Sequence, residues 1–522
     1  MSVIARPTLR SAPHWAAVIA ASLGPVASVQ AAGIEDTVGG AVALGRAANY
    51  VRVNDFMATW QNPANLAVIP GMDLGGELRL PILRACFDRA RDPAQEYKEP
   101  DASTGFEGEE TFGIVCNDAF PTPAGNLGWA QSFDTGWGYG LGFFTPAGVG
   151  SSNWGDDTIV TWPPYFENEV YPITKTGSQA PTRQMLVERR ALAGFLMVGL
   201  GAQPITQLRL GLSGGVGFAH IRNKSVASVL GGTFRDQEIV NETTVSDWAI
   251  PRLVSSVVLS PLDSFDIMGM VTYSGDIEAE GHMDLTANGI QGAPLMRCTD
   301  VDPGPHCRID GVKLNAPFHS LEVTLGLRYA KRRVLRERVL DPLRDEVWDV
   351  ELDGFWAQTS KVDEFTLVVH DAVPGTPEAP RVDFTSDPSG SSSTPRPSVT
   401  LPKHWADTVG LRLGGDYNVL PGRLALRAGV SYMSRAVPRQ FMNIDYWPVQ
   451  KIGLHAGTTV AFERWRVAVA YSHLFYETID VPVGYGQVPE VTSLEPQKAQ
   501  TVNEGRYTAG VDIISIQGNL RF

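Results

Sequence analysis

The chain alternates. Val409, Leu411, Leu413, Gly415 and Tyr417 are interleaved with Gly410, Arg412, Gly414 and Asp416. A Leu-Pro-Gly-Arg turn follows at Leu420 to Arg423, and then Leu424, Leu426, Ala428, Val430 and Tyr432 are interleaved with Ala425, Arg427, Gly429 and Ser431. In an extended chain successive side chains point to opposite faces, so period-two runs joined by a tight turn predict a β-hairpin. The pattern returns in Ile452 to Val460, with His455 and Thr459 on the polar face, and in Trp465 to Tyr471. It closes the chain, where Ile514, Ile516, Gly518, Leu520 and Phe522 oppose Ser515, Gln517, Asn519 and Arg521.

Alternation alone does not separate a soluble sandwich from a membrane barrel. In the first the apolar face is turned inward; in the second it meets lipid and the polar face lines the lumen. Three features favour the barrel. Very short turns alternate with long loops. Aromatics recur near strand ends (Trp137, Tyr273, Tyr329, Tyr417, Tyr432, Trp465 and Tyr471), as an interfacial girdle requires. The chain ends on a strand at Phe522, and a terminal aromatic is the usual insertion signal of such barrels.

Candidate strands fall at 72–85, 127–134, 136–145, 184–200, 206–221, 246–260, 264–280, 317–331, 346–371, 406–419, 423–436, 450–463, 465–478 and 506–522. That is about fourteen, and bacterial single-chain barrels have even counts. Both termini then lie on the periplasmic side, and the long loops lie outside. The connection Lys331 to Glu346 is long and basic for a periplasmic turn. The fold expected is an all-β transmembrane antiparallel barrel over 71–522.

Two segments precede it. Arg6 and Arg10, the apolar run from Trp15 to Leu23 and the small residues near Ala31 read as a secretory signal over 1–31. No later stretch has the ~20 apolar residues of a spanning helix. The stretch 32–70 carries glycines and scattered polar groups, with neither helical stripe nor strand alternation, and reads as a plug threaded inside the barrel.

With 43 Lys+Arg against 57 Asp+Glu and no long basic run, the chain is unsuited to binding nucleic acid. The four cysteines of an exported chain suggest two disulfides. Neighbours pair most simply, as Cys86–Cys116 and Cys298–Cys307, with two other connectivities open. No C-x-x-C zinc ribbon is present, and neither a metal nor a cofactor is expected.

These residues resemble the FadL family of outer-membrane long-chain fatty-acid and hydrocarbon transporters. Leu44-Gly45-Arg46-Ala47 resembles the family's plug motif. Asp55 stands seven residues before Asn62-Pro63-Ala64, which is similar to the family's Asp and Asn-Pro-Ala signature. Gly136-Trp137-Gly138 resembles the start of its third strand, and Glu504-Gly505-Arg506-Tyr507 its late Glu-Gly-x-aromatic. The resemblance implies a fourteen-stranded barrel blocked by an N-terminal hatch. Hydrophobic substrate would be caught at the outer loops, held in a pocket, and released sideways through an opening at the third strand. In that strand Trp137, Tyr139, Leu141 and Phe143 alternate with Gly138, Gly140 and Gly142, and Pro146 ends regular pairing. The glycines suit a gap in the wall, or simply room for the hatch.

The family holds an acid headgroup with basic residues, and His220, Arg222 and Lys224 at the end of the fifth strand are the candidates here. Arg222 could instead face lipid headgroups. Arg209, Glu322, Arg328, Arg412, Asp416, Arg427 and Arg466 are expected to pair with each other and with the hatch, because unpaired interior charges are costly. Asn62-Pro63-Ala64 is expected to shape the hatch. Gly211-Leu212-Ser213-Gly214-Gly215 matches a nucleophile elbow, but Ser213 sits in an alternating run rather than at a strand-to-helix turn. Asp300, Asp302 and Asp310 lack EF-hand spacing and read as a solvated acidic loop.

The function expected is passive, hatch-gated transport of hydrophobic small molecules by a monomer. Its partners are outer-membrane lipids and the barrel assembly machinery. A non-transporting adhesive barrel is the alternative, and a membrane-embedded hydrolase is disfavoured because no Ser/His/acid set falls on one face.

Overall fold

In a computed structural model, residues 39–90, 114–146, 150–155, 182–228, 238–287, 306–317, 320–339, 341–370, 382–383, 392–393, 398–490 and 501–522 are described. The signal segment 1–31, the start of the stretch from Gly33, and Cys298, Asp300 and Asp302 lie outside them, and with Cys298 its pairing to Cys307.

Fourteen antiparallel strands close a ring. In chain order they are β1 Met72–Arg89, β2 Ala124–Phe133, β3 Trp137–Phe144, β4 Glu188–Ile205, β5 Leu208–Ser228, β6 Glu238–Leu262 and β7 Phe265–Ser274. There follow β8 Ser320–Arg332, β9 Glu346–Ala357, β10 Thr408–Leu420, β11 Leu424–Met433, β12 Lys451–Phe462, β13 Trp465–Tyr476 and β14 Gly505–Arg521. Each pairs with its neighbour in sequence, and β1 pairs with β14 from Asp73–Arg521 to Arg89–Gly505. Closure leaves no edge strand in the wall.

The two faces of the wall follow the sequence pattern. Val409, Leu411, Leu413 and Tyr417 are exposed, whereas Arg412 between them is 4% exposed. Trp137, Tyr273, Tyr329, Tyr417, Tyr432, Trp465 and Tyr471 are all exposed on the outward face. A continuous surface of exposed Leu, Val, Ile and aromatic side chains around a closed ring is the surface of a membrane barrel.

Several strands run further than their apolar alternation. β6 has 25 residues. At ~3.3 Å per residue that is about 80 Å along the strand, against an apolar band about 25 Å tall. Its far end pairs with Ile277–Ala287, which continues the sheet through His306–Ala316, Glu364–Val368 and Ser398–Pro402. Stretches expected as loops are thus partly strand. They lie beyond the band, where neither face needs to be greasy, so the apolar period that marks the wall is absent. Cys86 and Cys116 are disulfide-bonded at that end.

The connection from β8 to β9 holds a 3-10 turn, Arg336–Arg338, and a helical turn, Pro342–Asp345, capped by Asp341. It lies at the short-turn end, where Asp341 meets Arg466 of β13 and Gly422 N donates to Leu343 O. Among its basic residues, Arg332 lies 3.1 Å from Asp266, and Arg336 also pairs with Asp266.

Candidate functional site

The stretch Gly39 to Pro70 is almost wholly buried against the inward faces of the strands. It contains α1 Ala41–Arg46, a single helical turn Ala58–Gln61 and a 3-10 helix Pro63–Val68. The helix α1 packs on β10 to β14, and the 3-10 helix packs on β2 to β6. Small residues permit this closeness. A methyl group at Gly211 of β5 would overlap Ala64 N, and one at Gly414 of β10 would overlap Arg46 O. Gly138 and Gly140 of β3 likewise face Leu66 and Thr59.

Asn62 caps the 3-10 helix by accepting from Ala64 N at 3.1 Å, and its amide donates to Tyr50 O. Pro63 occupies the first helical position, where its missing N–H costs nothing. Ala64 N is also bonded to Ser256 Oγ of β6 at 3.0 Å. The Asn-Pro-Ala run therefore shapes this segment and docks it on the wall.

Charge does the rest. Arg46 Nη2 donates to Asp349 Oδ2 of β9 at 2.9 Å, and Val51 N donates to Glu351 Oε1 at 2.9 Å. Burial opposes the charge on Arg46, but Asp349, Asp416 and Glu351 hold its pKa above the usual arginine value. Arg328 joins Asp349 at 2.6 Å, Asp266 at 3.5 Å and Glu346. Arg427 lies 3.3 Å from Asp416, and Arg209 donates to Asn65. Arg412 lies over the rings of Tyr50 and Phe355, and Glu322 accepts from Thr324. Such networks add little net stability over a greasy core, but losing one member leaves a charge stranded.

Asp55 accepts from Met57 N at 3.0 Å and from Gln517 Nε2 of β14 at 2.7 Å. Burial and then the neighbouring Asp73 push its pKa up to about 6. Asp73 takes Phe56 N at 3.0 Å and Arg521 Nε at 3.2 Å. Burial lowers Arg52 to about 10. A cavity of about 60 Å³ lies among Arg46, Arg52, Asp349, Asp416, Arg427 and Arg521.

Sequence reasoning missed the acceptors on β9. Asp349, Glu351 and Asp353 are buried at alternate positions, while Val350 and Leu352 between them are exposed. That acidic period-two run was visible and should have marked an inward ladder facing cations.

The third strand is paired on both sides, with β2 from Leu127–Phe143 to Phe133–Trp137 and with β4 from Trp137–Ala202 to Phe144–Phe195. The regular pairing with β4 ends at Phe144; past residues 147–149, which lie outside the described ones, Gly150 O accepts from Ala191 N at 3.2 Å and Ser152 pairs with Arg189. In the interval Thr145 N is held by the Asn126 side chain at 2.8 Å, and Thr145 O accepts from Arg79 Nη2 at 3.2 Å. Gly136, at φ 79°, makes the preceding turn, and Pro146 follows Thr145 in the interruption. Phe144, Phe195 and Ala193 of one buried apolar cluster flank the break on one side, and Trp154 and Leu186 of another flank it on the other.

His220, Arg222 and Lys224 share the outward face of β5 with Leu210, Leu212 and Val216. His220 bonds Ser246 Oγ at 2.8 Å, and Arg222 makes a two-pronged pair with Glu242 at 2.7 and 2.8 Å. Gly45 lies against Gly457 of β12, and Ser213 is buried in mid-strand. Phe522 exchanges backbone hydrogen bonds with Met72 across the closing seam.

No protein-family model matches the chain, and no curated protein matches it by sequence. Solved structures do match. A FadL homologue of Pseudomonas aeruginosa is 14% identical over 94% of this chain and 100% of its own, with a TM-score of 0.65. The toluene transporter TodX of P. putida is 14% identical over 95% and 99%, with a TM-score of 0.56. The monoaromatic hydrocarbon channel CymD is 14% identical over 94% and 99%, with a TM-score of 0.55. Over 94–95% of its length this chain matches the fold of those barrels.

Proposed function

We propose that the chain is a bacterial outer-membrane transporter for hydrophobic small molecules, in which residues 32–70 form a hatch within the barrel and the break beside β3 is the exit. The carrying observation is that the regular pairing of β3 with β4 ends at Phe144, between two apolar clusters and next to an interior that elsewhere is lined by ion pairs. A molecule entering among Trp154, Trp447, Tyr446 and Leu186 meets apolar surface at the long-loop end. Further down it meets Arg46, Arg328, Asp349 and Asp416. Each CH₂ kept in a polar, hydrated space forgoes ~0.8 kcal/mol, so the sideways route into the bilayer is favoured. Passage needs no coupled energy source, only displacement of the hatch.

The fold shared with a FadL homologue and with toluene and monoaromatic hydrocarbon channels supports this reading. On it the protein acts as a monomer, Phe522 is read by the barrel assembly machinery, and His220, Arg222 and Lys224 meet outer-leaflet headgroups rather than substrate. Vesicles containing the protein should take up a labelled alkane or fatty acid faster than empty vesicles. Equal rates would end the transporter reading and leave the adhesive barrel in its place.

A further inference from the structure

The outward face of β8 runs on past the apolar band. Leu325, Leu327 and Tyr329 are exposed, and Lys331 continues their face. Its cross-strand partner is Trp348 of β9, whose ring lies 5.5 Å from that of Tyr329; Trp348 in turn pairs with Tyr417 of β10. Arg333 and Leu335, the next two alternate residues, are exposed as well. Arg332 and Arg336 are answered by Asp266, and Arg344 by Asp345 at 2.8 Å. Lys331 and Arg333 are not: among the described residues, neither side chain enters an ion pair or a hydrogen bond. Glu337 is the one acid of the stretch 331–337, so its exposed surface is net positive.

A second feature lies higher on the same face. A hollow of about 590 Å³ opens on the lipid side of β3 to β8. Ser255 of β6 and Gly269 of β7 leave the space, and their cross-strand partners Leu212 and Leu325, both exposed, wall it. Leu325 is six residues from Lys331 along β8, ~20 Å at ~3.3 Å per residue. With strands tilted by about 45° that is roughly 14 Å of height, close to half of the ~30 Å hydrocarbon core. The unpaired cations and the hollow are thus one acyl-chain length apart on one face of the wall.

We infer that this face holds an anionic phospholipid of the leaflet at the short-turn end, with its phosphate at Lys331 and Arg333 and one acyl chain lying past Tyr329 and Leu327 into the hollow at Gly269. Two cations beside aromatic rings suit a net-negative headgroup at the membrane surface. A zwitterionic lipid fills the same hollow but brings a cation of its own to the pair. The chain in the hollow gains the dispersion contacts that an empty dent forfeits. The site requires only that the wall stand in a membrane, so a failure of the transport reading leaves it in place.

Native mass spectrometry of the purified full-length protein reads lipid retention after equal additions of dioleoyl phosphatidylglycerol or dioleoyl phosphatidylcholine. Wild type is expected to hold one phosphatidylglycerol about thirtyfold tighter, about fivefold for each cation. Lys331→Gln and Arg333→Gln should each cut the preference about fivefold. Arg344→Gln, which removes the same charge from an ion pair of the same connection, should leave it unchanged. Gly269→Leu fills the hollow and should weaken both lipids alike; a first side-chain carbon there meets only ordinary contacts, at 3.6 and 3.9 Å. If that variant fails to assemble, dihexanoyl phosphatidylglycerol, too short to reach the hollow, should show the same loss on wild type. Inorganic phosphate should not displace the lipid. Equal retention of the two dioleoyl lipids, or a preference indifferent to both cation variants, would overturn the site. Displacement by phosphate, or retention indifferent to both Gly269→Leu and chain length, would overturn the assignment of a lipid to it.

Discussion

Arg46 and Asp349 are 303 positions apart in the chain and 2.9 Å apart in space, both nearly inaccessible to solvent. The first belongs to the N-terminal segment and the second to the wall, so their contact measures how firmly one is seated on the other. Arg46→Met leaves Asp349 paired with Arg328 and accepting from Asp416 N. Breaking a buried pair from one side costs about 3–5 kcal/mol. We expect a raised single-channel conductance in planar bilayers with unchanged barrel content. Adding Asp349→Asn should recover part of the closure, because the stranded charge goes with it. A conductance identical to wild type would show that this pair does not seat the segment.

Gly211 and Gly518 provide a matched comparison. At Gly211 a methyl group collides with the backbone of Ala64, whereas at Gly518 it meets nothing within 4 Å. Overpacking against a backbone costs typically 1–3 kcal/mol. Gly211→Ala should lower the thermal midpoint and speed proteolysis within 39–70, and Gly518→Ala should do neither.

Asp55 gives a pH dependence. Its pKa in the folded protein, about 6, lies above the unfolded value of 3.8, so between these values the folded state holds the extra proton. Stability therefore falls as pH rises from about 4 to about 6 and is level above that; the direction is the reverse of an ordinary ion-paired carboxylate. The effect is roughly 1–3 kcal/mol. Thermal unfolding of wild type should show this slope, and Asp55→Asn should lose it. An unchanged slope in the variant would assign the titration to another group.

Asn62→Ala removes the cap of the 3-10 helix and the bond to Tyr50 O. Loss of such a cap costs about 0.5–2 kcal/mol. The expected result is faster amide exchange at Ala64 and Asn65, with the strands unaffected. Protection equal to wild type would show that Pro63 and the wall contacts alone hold the turn.

Cys86–Cys116 closes a span of 30 residues. Chain-entropy reasoning gives such a link about 3.5 kcal/mol. Non-reducing peptide mapping should recover the linked pair. The double substitution to serine should lower resistance to heat while leaving the β-sheet spectrum intact.

What could be read in advance divides along the membrane surface. Within the apolar band each residue answers one question, lipid or interior, and the period-two code reports it; hence strands such as β10 and β11 were legible nearly to the residue. Beyond the band both faces meet water, the code falls silent, and residues 281–287 and His306–Ala316 went unrecognised. The Asn-Pro-Ala turn was legible because a cap and a proline act locally. Arg222 was visible as a cation, but its face followed only once the register of β5 was known.

By itself, then, the sequence determined an alternating, closed, lipid-facing wall and a segment unlike it at the front, because those properties depend on neighbours two residues away. Only the tertiary structure decided which charges meet, as Arg46 and Asp349 do, where the regular pairing of β3 with β4 ends, and which face of β5 carries Arg222. Those depend on the curvature and register that bring distant strands to one interior, and no local pattern encodes a distance across a barrel.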